Sequence, residues 1–381
     1  MNLKIKTIET LHAVSASEWN TLAGTQYPFT QYEFLIALEN NGAVGKEFGW
    51  ITHFFLAYES DKLIGALPLY IKFNSYGEFV FDWAWADAYQ QNGLRYYPKL
   101  VTSIPYTPAT GPRLLIQDNE RYNEIADALI NAVLSFAQQS QVSSFHCLFT
   151  NDKDTNYFNK NPNFMMRLGC QFHWTNNHYN DFTDYLGYLT SKKRKQIKRE
   201  RRIVEEQGIK FEILNGLEAT EQQWEIYHRF YESTFERKSG MPTLSLNFFK
   251  EIAQTMPENI VLVLAKYNDE YVASAFNLKG EDTLYGRHWG CSENFDNLHF
   301  EACYYQGLEY CIDNDLKYFE PGAQGEHKIA RGFMPTKTWS AHWIAHPQFR
   351  QSINNFLNHE TQGMLDYIDE LNVHSAFKKN I

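Results

Sequence analysis

The hydrophobic pattern of this chain occurs twice. The apolar and polar positions of residues 54–67 align without a gap on those of residues 262–275, at an offset of 208 residues. Apolar positions coincide with apolar positions, and the polar turn residue Asp61 coincides with Asp269. Both stretches have the alternation and the polar turn that are typical of a β-hairpin. The coincidence predicts two similar domains in one chain.

The elements around the two hairpins also follow one order, which is a strand, helices, the hairpin, a further helix and a further strand. In the first copy they lie at residues 3–8, 33–40, 54–72, 122–137 and 144–149, and in the second at 209–214, 221–254, 260–279, 298–313 and 317–320. Such an order predicts α/β domains that each contain a mixed sheet. We expect a first domain at residues 1–185, a connecting segment at 186–209 and a second domain at 210–381.

The first copy contains an aromatic insertion near residues 81–113. The step from Lys72 to Tyr122 is 50 residues, whereas the matching step from Lys279 to Leu298 is 19. The additional residues are rich in aromatics, Pro and Gly, which argues against a flexible linker. They fit either a structured arm that covers a sheet edge or a wall that binds an acceptor. In the second case Trp83 and Trp85 would supply flat apolar surface.

The connecting segment contains a strongly basic stretch. Eight of the twelve residues at 191–202 are Lys or Arg, and Gly208 is well placed to end a helix that begins near Ser191. The charge is either solvated and paired with nearby acids, or it contacts phosphate groups. Candidate phosphate ligands are the pyrophosphate of coenzyme A, the backbone of tRNA and a nucleotide-linked precursor.

The composition excludes several classes of protein. A net charge of -10 argues against general binding to DNA or to an anionic membrane. The five cysteines are scattered and fit reduced thiols in the cytoplasm, which is the expected location. No stretch has the length of a membrane span or of a signal-peptide core. Sequence motifs of α/β hydrolases, P-loop kinases and dinucleotide-binding dehydrogenases do not occur.

The polar residues that could perform chemistry are concentrated in the second copy. They lie in residues 285–290, which end one predicted strand, at the start of the next helix and after the following strand; the candidates are Arg287, Trp289, His299, Glu320, Gln324, Glu326, His327, Lys328 and Arg331. The carboxylates and imidazoles could accept a proton, and the cations could hold a phosphate or carboxylate. Interleaved glycines place backbone N–H groups near a ligand. We expect Glu326 or His327 to be the base.

Two further points concern the histidines. His299 lies in the first turn of a predicted helix, where the helix dipole disfavours the imidazolium and keeps the ring able to act as a base. His299, Glu301, Glu326 and His327 are also residue types that bind metals. Their spacing matches no established ligand motif, so we expect no metal site.

Five segments resemble the signature segments of the FemAB-like family of bacterial N-acyltransferases. These are FDWAWADAY at 81–89, SKKRKQIKRER at 191–201, LYGRHWGC at 284–291, LHFEACYYQG at 298–307 and EPGAQGEHKIARGF at 320–333. The resemblance spans nearly the whole chain. It implies two tandem acetyltransferase-type (GNAT) domains, joined here by the basic helix, and a relation to the Fem ligases that add amino acids to peptidoglycan precursors.

The resemblance implies transfer of an activated acyl group to an amine, possible acceptors being cell-wall precursors. The donor is either an acyl-CoA or an aminoacyl-tRNA. The segment Arg287–Gly290 is followed by Cys291 and Ser292, so the second small position of the usual phosphate loop for coenzyme A, normally Gly or Ala, does not have its usual form. A single basic helix, residues 192–202, would contact tRNA. The alternative is a binding protein without catalysis that holds tRNA or a phosphorylated precursor through this helix.

Overall fold

A computed structural model gives the arrangement of residues 3–237, 240–293, 295–323 and 325–378. The strands are β1 Leu3–Ile8, β2 Trp50–Thr52, β3 Phe54–Glu59, β4 Lys62–Leu67, β5 Tyr70–Lys72, β6 Lys99–Thr102, β7 Ser144–Leu148, β8 Met165–Thr175, β9 Lys210–Leu214, β10 Ile260–Tyr267, β11 Glu270–Lys279, β12 Thr283–Cys291, β13 Tyr318–Glu320 and β14 Met334–Ile344. The helices are α1 Ala16–Ala23, α2 Tyr32–Asn40, α3 Trp83–Gln91, α4 Tyr122–Gln139, α5 Asp152–Lys160, α6 Phe182–Tyr188, α7 Ser191–Glu206, α8 Glu221–Arg237, α9 Leu246–Thr255, α10 Leu298–Phe300, α11 Gln306–Asp313 and α12 Pro347–Val373. A π-helical segment, Glu301–Tyr305, joins α10 to α11, and 3-10 turns lie at Leu11–Ala13, Pro28–Thr30, Pro257–Asn259 and Glu326–Arg331.

The chain forms two compact units whose bounds differ from the predicted domains. Unit 1 comprises residues 1–170 and 337–367, and unit 2 comprises residues 171–336 and 368–381. The difference arises because β14, which follows the second copy in sequence, pairs with β7 of the first copy from Ser340 to Ile344. The predicted connecting segment at 186–209 belongs to unit 2.

Unit 1 contains two sheets with helix α4 packed on them. One sheet has the order β1-β3-β4, and the strands β2-β5-β6-β7-β14 follow one another in the other. The apolar stripe of α4, including Ile125, Leu129 and Val133, is buried in the main core of this unit. Gly65 on β4 permits this contact, because a Cβ atom there would collide with the Ile125 side chain. The apolar side of α4 therefore faces the core.

In unit 2 the strands β8-β13-β12-β11-β10-β9 are hydrogen-bonded neighbours in this order. Helices α8 and α9 cover it with aromatic side chains: Trp224, Tyr227 and Phe249 are buried, and the Tyr227 and Phe276 rings lie 5.3 Å apart. Aromatic pairs at such distances stabilise a core beyond the area that they bury. The fold is a mixed α/β fold, and both units contain the predicted helices and strands in the predicted order along the chain.

The two predicted hairpins share details beyond their length. In each, the strand pairing has an irregularity at the same position, between Ala57 and Tyr58 in the first and between Ala265 and Lys266 in the second. The turn that follows has a left-handed residue at the matching site, with φ of 54° at Ser60 and 49° at Asn268. The offset of 208 residues found in sequence thus also relates the backbone conformations.

The predicted insertion near 81–113 is wrong in its extent, because it contains a strand of the shared order. Strand β6, at Lys99–Thr102, pairs antiparallel with β5 and parallel with β7, as β12 pairs with β11 and β13. The sequence did not indicate this strand because it has only four residues. In the second copy β11 is one continuous strand, whereas the matching stretch of the first copy is divided into β4 and β5. Pro68 lies between β4 and β5, and it lacks the N–H donor that strand pairing requires.

Helix α7 is the basic segment of the sequence. Its buried face consists of Ile197, Glu200 and Val204, and Glu200 makes an ion pair of 2.9 Å with Arg331, which is also buried. The hydroxyl of Tyr305 donates to the same carboxylate. Arg201 pairs with Glu301 at 3.0 Å. Glu200 therefore fixes α7 to the last 3-10 turn, and Arg201 fixes it to the π-helical segment.

Two smaller findings complete the fold. None of the five cysteines forms a disulfide. Across the residues that the structure describes, no helix has both the length and the apolar character that a membrane crossing requires.

The close approach of β12 to α8 yields a first prediction. A Cβ atom at Gly290 would lie well inside contact distance of the Phe230 carbonyl oxygen, and the backbone of α8 cannot move aside as a flexible side chain could. Gly290→Ala should lower the free energy of unfolding by about 1–3 kcal/mol in urea titrations. Gly187→Ala, at a helical glycine with open space around it, is the control and should leave stability equal or higher. Equal stability of the two variants would contradict the packing described.

The buried ion pair yields a second prediction. Arg331→Met leaves Glu200 buried without its partner, which typically costs about 3–5 kcal/mol of unfolding free energy. The control is Arg202→Met on the same helix, because the 3.4 Å pair of Arg202 with Glu206 is exposed and should contribute less than about 1 kcal/mol. Urea titrations of both variants measure the difference. If Arg331→Met were no less stable than Arg202→Met, the pair would not anchor the helix.

Candidate active site

A cavity opens where two parallel strands of unit 2 separate. Strands β12 and β13 pair only from Thr283 to Tyr285, opposite Tyr318 to Glu320, after which β12 continues to Cys291. The chain beyond β13 turns away at Pro321, and a cavity of about 330 Å³ lies between the two. Ligands of open α/β sheets bind at such places beyond the ends of strands. The volume is within the range of small-ligand sites.

A β-bulge presents Arg287 to this cavity. Phe276 pairs with His288, whereas Asn277 pairs with Gly286, so Arg287 is the extra residue on β12. A bulge interrupts the strict alternation of a strand and re-aims a side chain. As a result Arg287, His288 and Trp289, three consecutive residues, all line the cavity.

The π-helical segment supplies a second wall. Cys303 and Tyr304 line the cavity. The wider π-helical turn that contains them begins at Glu301, whose carboxylate pairs with Arg201. Glu301 is buried, which raises its pKa, while Arg201 partly opposes this effect. Single π-helical turns within α-helices occur frequently at functional sites.

The 3-10 turn at Glu326–Arg331 supplies the third wall. His327 lines the cavity, and its Nε2 atom lies 2.9 Å from the hydroxyl of Tyr304. The His327 side chain is partly exposed; its partial burial lowers its pKa, and the charges of Arg331 and Lys328 lower it further. The ring is therefore neutral near pH 7 and able to accept a proton. Gly325, with a φ of 118°, brings the backbone close to this ring, where a Cβ atom would collide.

Lys328 is a buried cation at the same cavity. Its Nζ atom donates to the Gly322 carbonyl oxygen at 2.7 Å, and the residue is 2% exposed. Burial lowers the pKa of Lys328 to about 8, so the amine is largely charged at pH 7 but loses its proton in mildly alkaline solution. A cation so poorly hydrated attracts an anionic ligand group more strongly than a surface lysine does.

The charged lining residues are all basic. Among the lining residues that the structure places, Arg287 and Lys328 are cationic, His288, His299 and His327 are imidazoles, and no Asp or Glu is present. Burial, together with Arg287, lowers the pKa of His288 well below its usual value. The remaining wall is largely aromatic, with Tyr231, Phe235, Phe276, Trp289 and Tyr304. The cavity fits a ligand that has an anionic group and a flat or apolar part.

Five of the predicted site residues converge here. Arg287, Trp289, His299, His327 and Lys328 line one cavity, although they come from three separate segments. The rings of His299 and Trp289 lie 5.3 Å apart, with an edge-to-face geometry.

The predicted carboxylate bases are not part of the lining. Glu326 is exposed and lies outside the cavity lining, although it directly precedes His327 in the chain. Glu320 ends β13, is not among the lining residues, and has a carboxylate oxygen 3.9 Å from Nδ1 of His173. The 3-10 turn separates the neighbours Glu326 and His327, because consecutive side chains of such a turn point in different directions.

Other predicted residues have structural surroundings or lie elsewhere. Arg331 was predicted to contact an anionic ligand, but its guanidinium already binds Glu200 and lies 3.5 Å from the Phe300 ring centroid. Trp85 was predicted as part of a binding wall, but it is buried in unit 1 with its ring 5.1 Å from that of His342. Trp83 is half exposed on the same unit. The prediction for Gln324 lies outside the described residues.

The residues of the cavity that were not predicted from the sequence include Tyr304, His288 and Tyr231. Tyr304 escaped notice because the π-helical turn shifts its direction relative to regular helical spacing. In a regular strand the side chain of His288 would point to the face opposite to those of Arg287 and Trp289. The bulge changes this alternation, so that all three residues line the cavity. Tyr231 lies on the apolar face of α8, so its pattern indicated only core packing. A search for local irregularities would have been needed to find these residues.

Solved structures with the same fold include three whose similarity extends over most of this chain. The crystal structure of FemX shares 10% identity, covers 92% of this chain and 100% of its own, and has a TM-score of 0.53. The L-PGS structure from Bacillus licheniformis shares 10% identity, covers 85% and 96%, and has a TM-score of 0.51. The C-terminal domain of a putative lysylphosphatidylglycerol synthetase from Agrobacterium fabrum shares 7% identity, covers 90% and 95%, and has a TM-score of 0.55. At these identities the similarity concerns the fold alone.

Sequence comparison gives the family. No curated protein sequence matches this chain. A family model described as peptidoglycan biosynthesis/recognition matches residues 10–379, which is nearly the whole chain and includes every segment around the cavity. Together with the tandem mixed-sheet fold, this match confirms the resemblance found in the sequence: the chain belongs to the FemAB-like family.

Proposed function

We propose that this protein is an aminoacyltransferase that moves an activated acyl group to an amine of a cell-wall precursor, with the cavity of unit 2 as its reaction centre. The observation that supports this best is the pair formed by His327 and Tyr304, 2.9 Å apart at a cavity with two cations. Family membership supports the precursor as acceptor. A cytoplasmic location is part of the proposal.

His327 is the general base in this proposal. Transfer to an amine requires that the attacking nitrogen lose a proton, and the lowered pKa of His327 keeps its imidazole unprotonated at neutral pH. The proton passes to Nε2 directly or through the hydroxyl of Tyr304, which donates to the ring and accepts from the amine. A positioned base of this kind typically contributes about 10²–10⁴-fold to the rate.

The remaining groups position the donor and stabilise charge. In this proposal, backbone N–H groups of β12 beyond Tyr285, where its pairing with β13 has ended, polarise the acyl carbonyl. Arg287 and Lys328 bind an anionic group of the donor or acceptor. The aromatic wall around Trp289 holds the rest of the ligand and excludes water.

Aminoacyl-tRNA is the donor that the charge distribution favours. Of the eight cations at 191–202, Arg201 and Arg202 make ion pairs with acids, whereas for the other six the described residues offer no acid within 4.0 Å. These six are Lys192, Lys193, Arg194, Lys195, Lys198 and Arg199. Like charges so close together repel, so a polyanion on this helix would relieve the repulsion. Acyl-CoA, with fewer phosphates, is the second candidate.

The same helix also supports the alternative of a binding protein without catalysis. Such a protein would need the cations of α7 but not the pair of Tyr304 and His327. Substitution of His327 should therefore abolish the function of a transferase but not that of a binding protein, whereas substitution of the α7 cations should weaken both.

The first prediction of the proposal concerns the base. His327→Gln should lower kcat for transfer from aminoacyl-tRNA to a precursor amine by about 10²–10⁴-fold, and Tyr304→Phe should lower it less. In the parent protein kcat/KM should fall at acid pH through a pKa below 6.5, because His327 must be unprotonated and its pKa is lowered. Single-turnover assays with labelled donor measure both effects.

The control for this experiment is the adjacent exposed carboxylate. Glu326→Gln changes a residue of the same turn that lies outside the cavity lining, and it should leave kcat unchanged. A rate that falls with Glu326→Gln but not with His327→Gln would assign the base to Glu326 instead. A rate that neither substitution changes would exclude both residues as the base, whereas a parent protein that binds tRNA but shows no transfer would be a binding protein.

The second prediction concerns α7. Replacement of Lys192, Lys193, Arg194 and Lys195 by Gln should weaken tRNA binding at least about tenfold, and each lost phosphate contact should reduce the slope of log K against log salt by about 0.7–0.9. Filter binding over a series of salt concentrations measures the slope. The control variant removes four exposed lysines elsewhere, Lys4, Lys62, Lys160 and Lys210, and so has the same net charge.

The two variants should differ clearly if the helix is a tRNA contact. Equal loss of binding in both would indicate only the effect of net charge, and an unchanged slope in the α7 variant would contradict the tRNA proposal. Acyl-CoA would then be the donor to test.

A further inference from the structure

Unit 1 exposes an unusual concentration of aromatic side chains. Five of the twelve large apolar residues that are exposed within the described part of the chain fall within residues 73–83, here called the aromatic loop. They are Phe73, Tyr76, Phe79, Phe81 and Trp83, with exposures of 52%, 67%, 42%, 56% and 50%. Single exposed apolar residues are ordinary, but a contiguous group marks an interaction surface.

Three of these rings form a continuous cluster. The centroids of Tyr76 and Trp83 lie 5.8 Å apart, and those of Phe81 and Trp83 lie 6.2 Å apart, both with edge-to-face geometry. An aromatic side chain has about 150–250 Å² of surface, so five that are half exposed present about 400–600 Å². The aromatic loop thus offers a patch as large as the largest on a typical monomer.

The aromatic loop presents no charged side chain to solvent. Its only charged residues are Glu78 and Asp82, which are 2% and 3% exposed and both pair with the buried amine of Lys99. Lys72, which precedes the loop, is also buried, with its amine 3.8 Å from the ring centroid of Trp50. The segment therefore turns its charges inward and its rings outward.

The conformation of the aromatic loop is fixed from inside. The Ser75 hydroxyl donates to Asp82 at 2.6 Å, and the Tyr106 N–H donates to the Gly77 carbonyl oxygen at 3.1 Å. Arg167 donates to the Phe81 carbonyl oxygen at 2.7 Å. The outward rings are held in place before any partner binds, which reduces the entropic cost of binding.

We propose that the aromatic loop docks unit 1 on the surface of a lipid bilayer and inserts its rings at the level of headgroups that have no net charge. Tyr and Trp prefer this interface because their rings combine apolar faces with polar tips. The absence of exposed charge means that no ion has to be desolvated. It also means that the docking does not need anionic lipid, which the net charge of -10 would repel.

The size and charge of the patch argue against other occupants. Two copies meeting through it would bury about 400–600 Å² each, below the roughly 800 Å² per partner of a stable interface. A nucleic acid would require cations, which the aromatic loop does not expose. This inference does not depend on the proposed transferase reaction, so the failure of one leaves the other intact.

The test uses the full chain and vesicles of phosphatidylcholine. The parent protein should co-sediment with the vesicles, and the affinity should be the same between about 0.1 M and 1 M NaCl because the contact is not electrostatic. Addition of phosphatidylglycerol should not strengthen binding. The triple variant Tyr76→Ser, Phe81→Ser and Trp83→Ser should bind at least about tenfold more weakly.

A matched control removes three exposed apolar residues elsewhere. Leu217→Ser, Met241→Ser and Phe356→Ser change side chains that are 68%, 61% and 48% exposed, and this variant should bind as the parent does. Brominated lipid should quench tryptophan fluorescence of the parent, and Trp83→Phe should remove that quenching while it retains binding. Thermal unfolding of each variant checks that it is folded.

Three outcomes would overturn the inference. One is a parent protein that does not bind phosphatidylcholine vesicles at all. Another is a triple variant that is folded and binds as well as the parent. The third is a parent protein that sediments as a dimer in solution and becomes monomeric in the triple variant without any vesicle binding, which would assign the patch to a second copy.

Discussion

The candidate active site depends on the buried guanidinium of Arg331. This group binds Glu200 of α7 at 2.9 Å, donates to the hydroxyl of Tyr305 at 3.0 Å and donates to the carbonyl oxygen of His327 at 2.8 Å. One planar cation with five donors thus joins a helix, the π-helical segment and the 3-10 turn. The two residues proposed to move the proton, Tyr304 and His327, lie on the two segments that it fixes. The distance of 2.9 Å between them is consequently a property of the fold rather than of a flexible loop.

The cavity is built from three departures from regular structure. Arg287 reaches it through a bulge, Tyr304 through a π-helical turn and His327 through a turn that requires Gly325 at a φ of 118°. The bulge, the π-helical turn and the left-handed glycine each cost free energy relative to regular strand or helix geometry. Such features persist when surrounding contacts compensate for them, and here the ion pairs of Glu200 and Arg201 provide that compensation. Local conflict with regular geometry is common at functional sites.

The sequence predicted the repeated hairpins, the helices and the region of the site because these depend on periodic apolar patterns and on clustering of polar residues along the chain. Three of its candidates, Arg287, His327 and Lys328, line one cavity, because β12 and the chain that follows β13 lie side by side. It could not separate Glu326 from His327, because direction within a short turn depends on backbone angles that residue types do not determine. It assigned Arg331 to a ligand because its partner, Glu200, is 131 residues away. It overlooked β6, since four residues contain too little pattern.

The cavity of the second copy lies at a strand that is longer than its counterpart in the first copy. Strands β6 and β12 have equivalent positions, and each pairs with a parallel neighbour over three residues. Strand β6 ends with the last of these pairs, at Thr102, whereas β12 runs on for six residues to Cys291. This extension pairs with β11 but not with β13, and it contains the bulge that presents Arg287 to the cavity. Copies of one scaffold can therefore diverge in function through the length of one strand, while the sheet order and the hairpin of each copy stay the same.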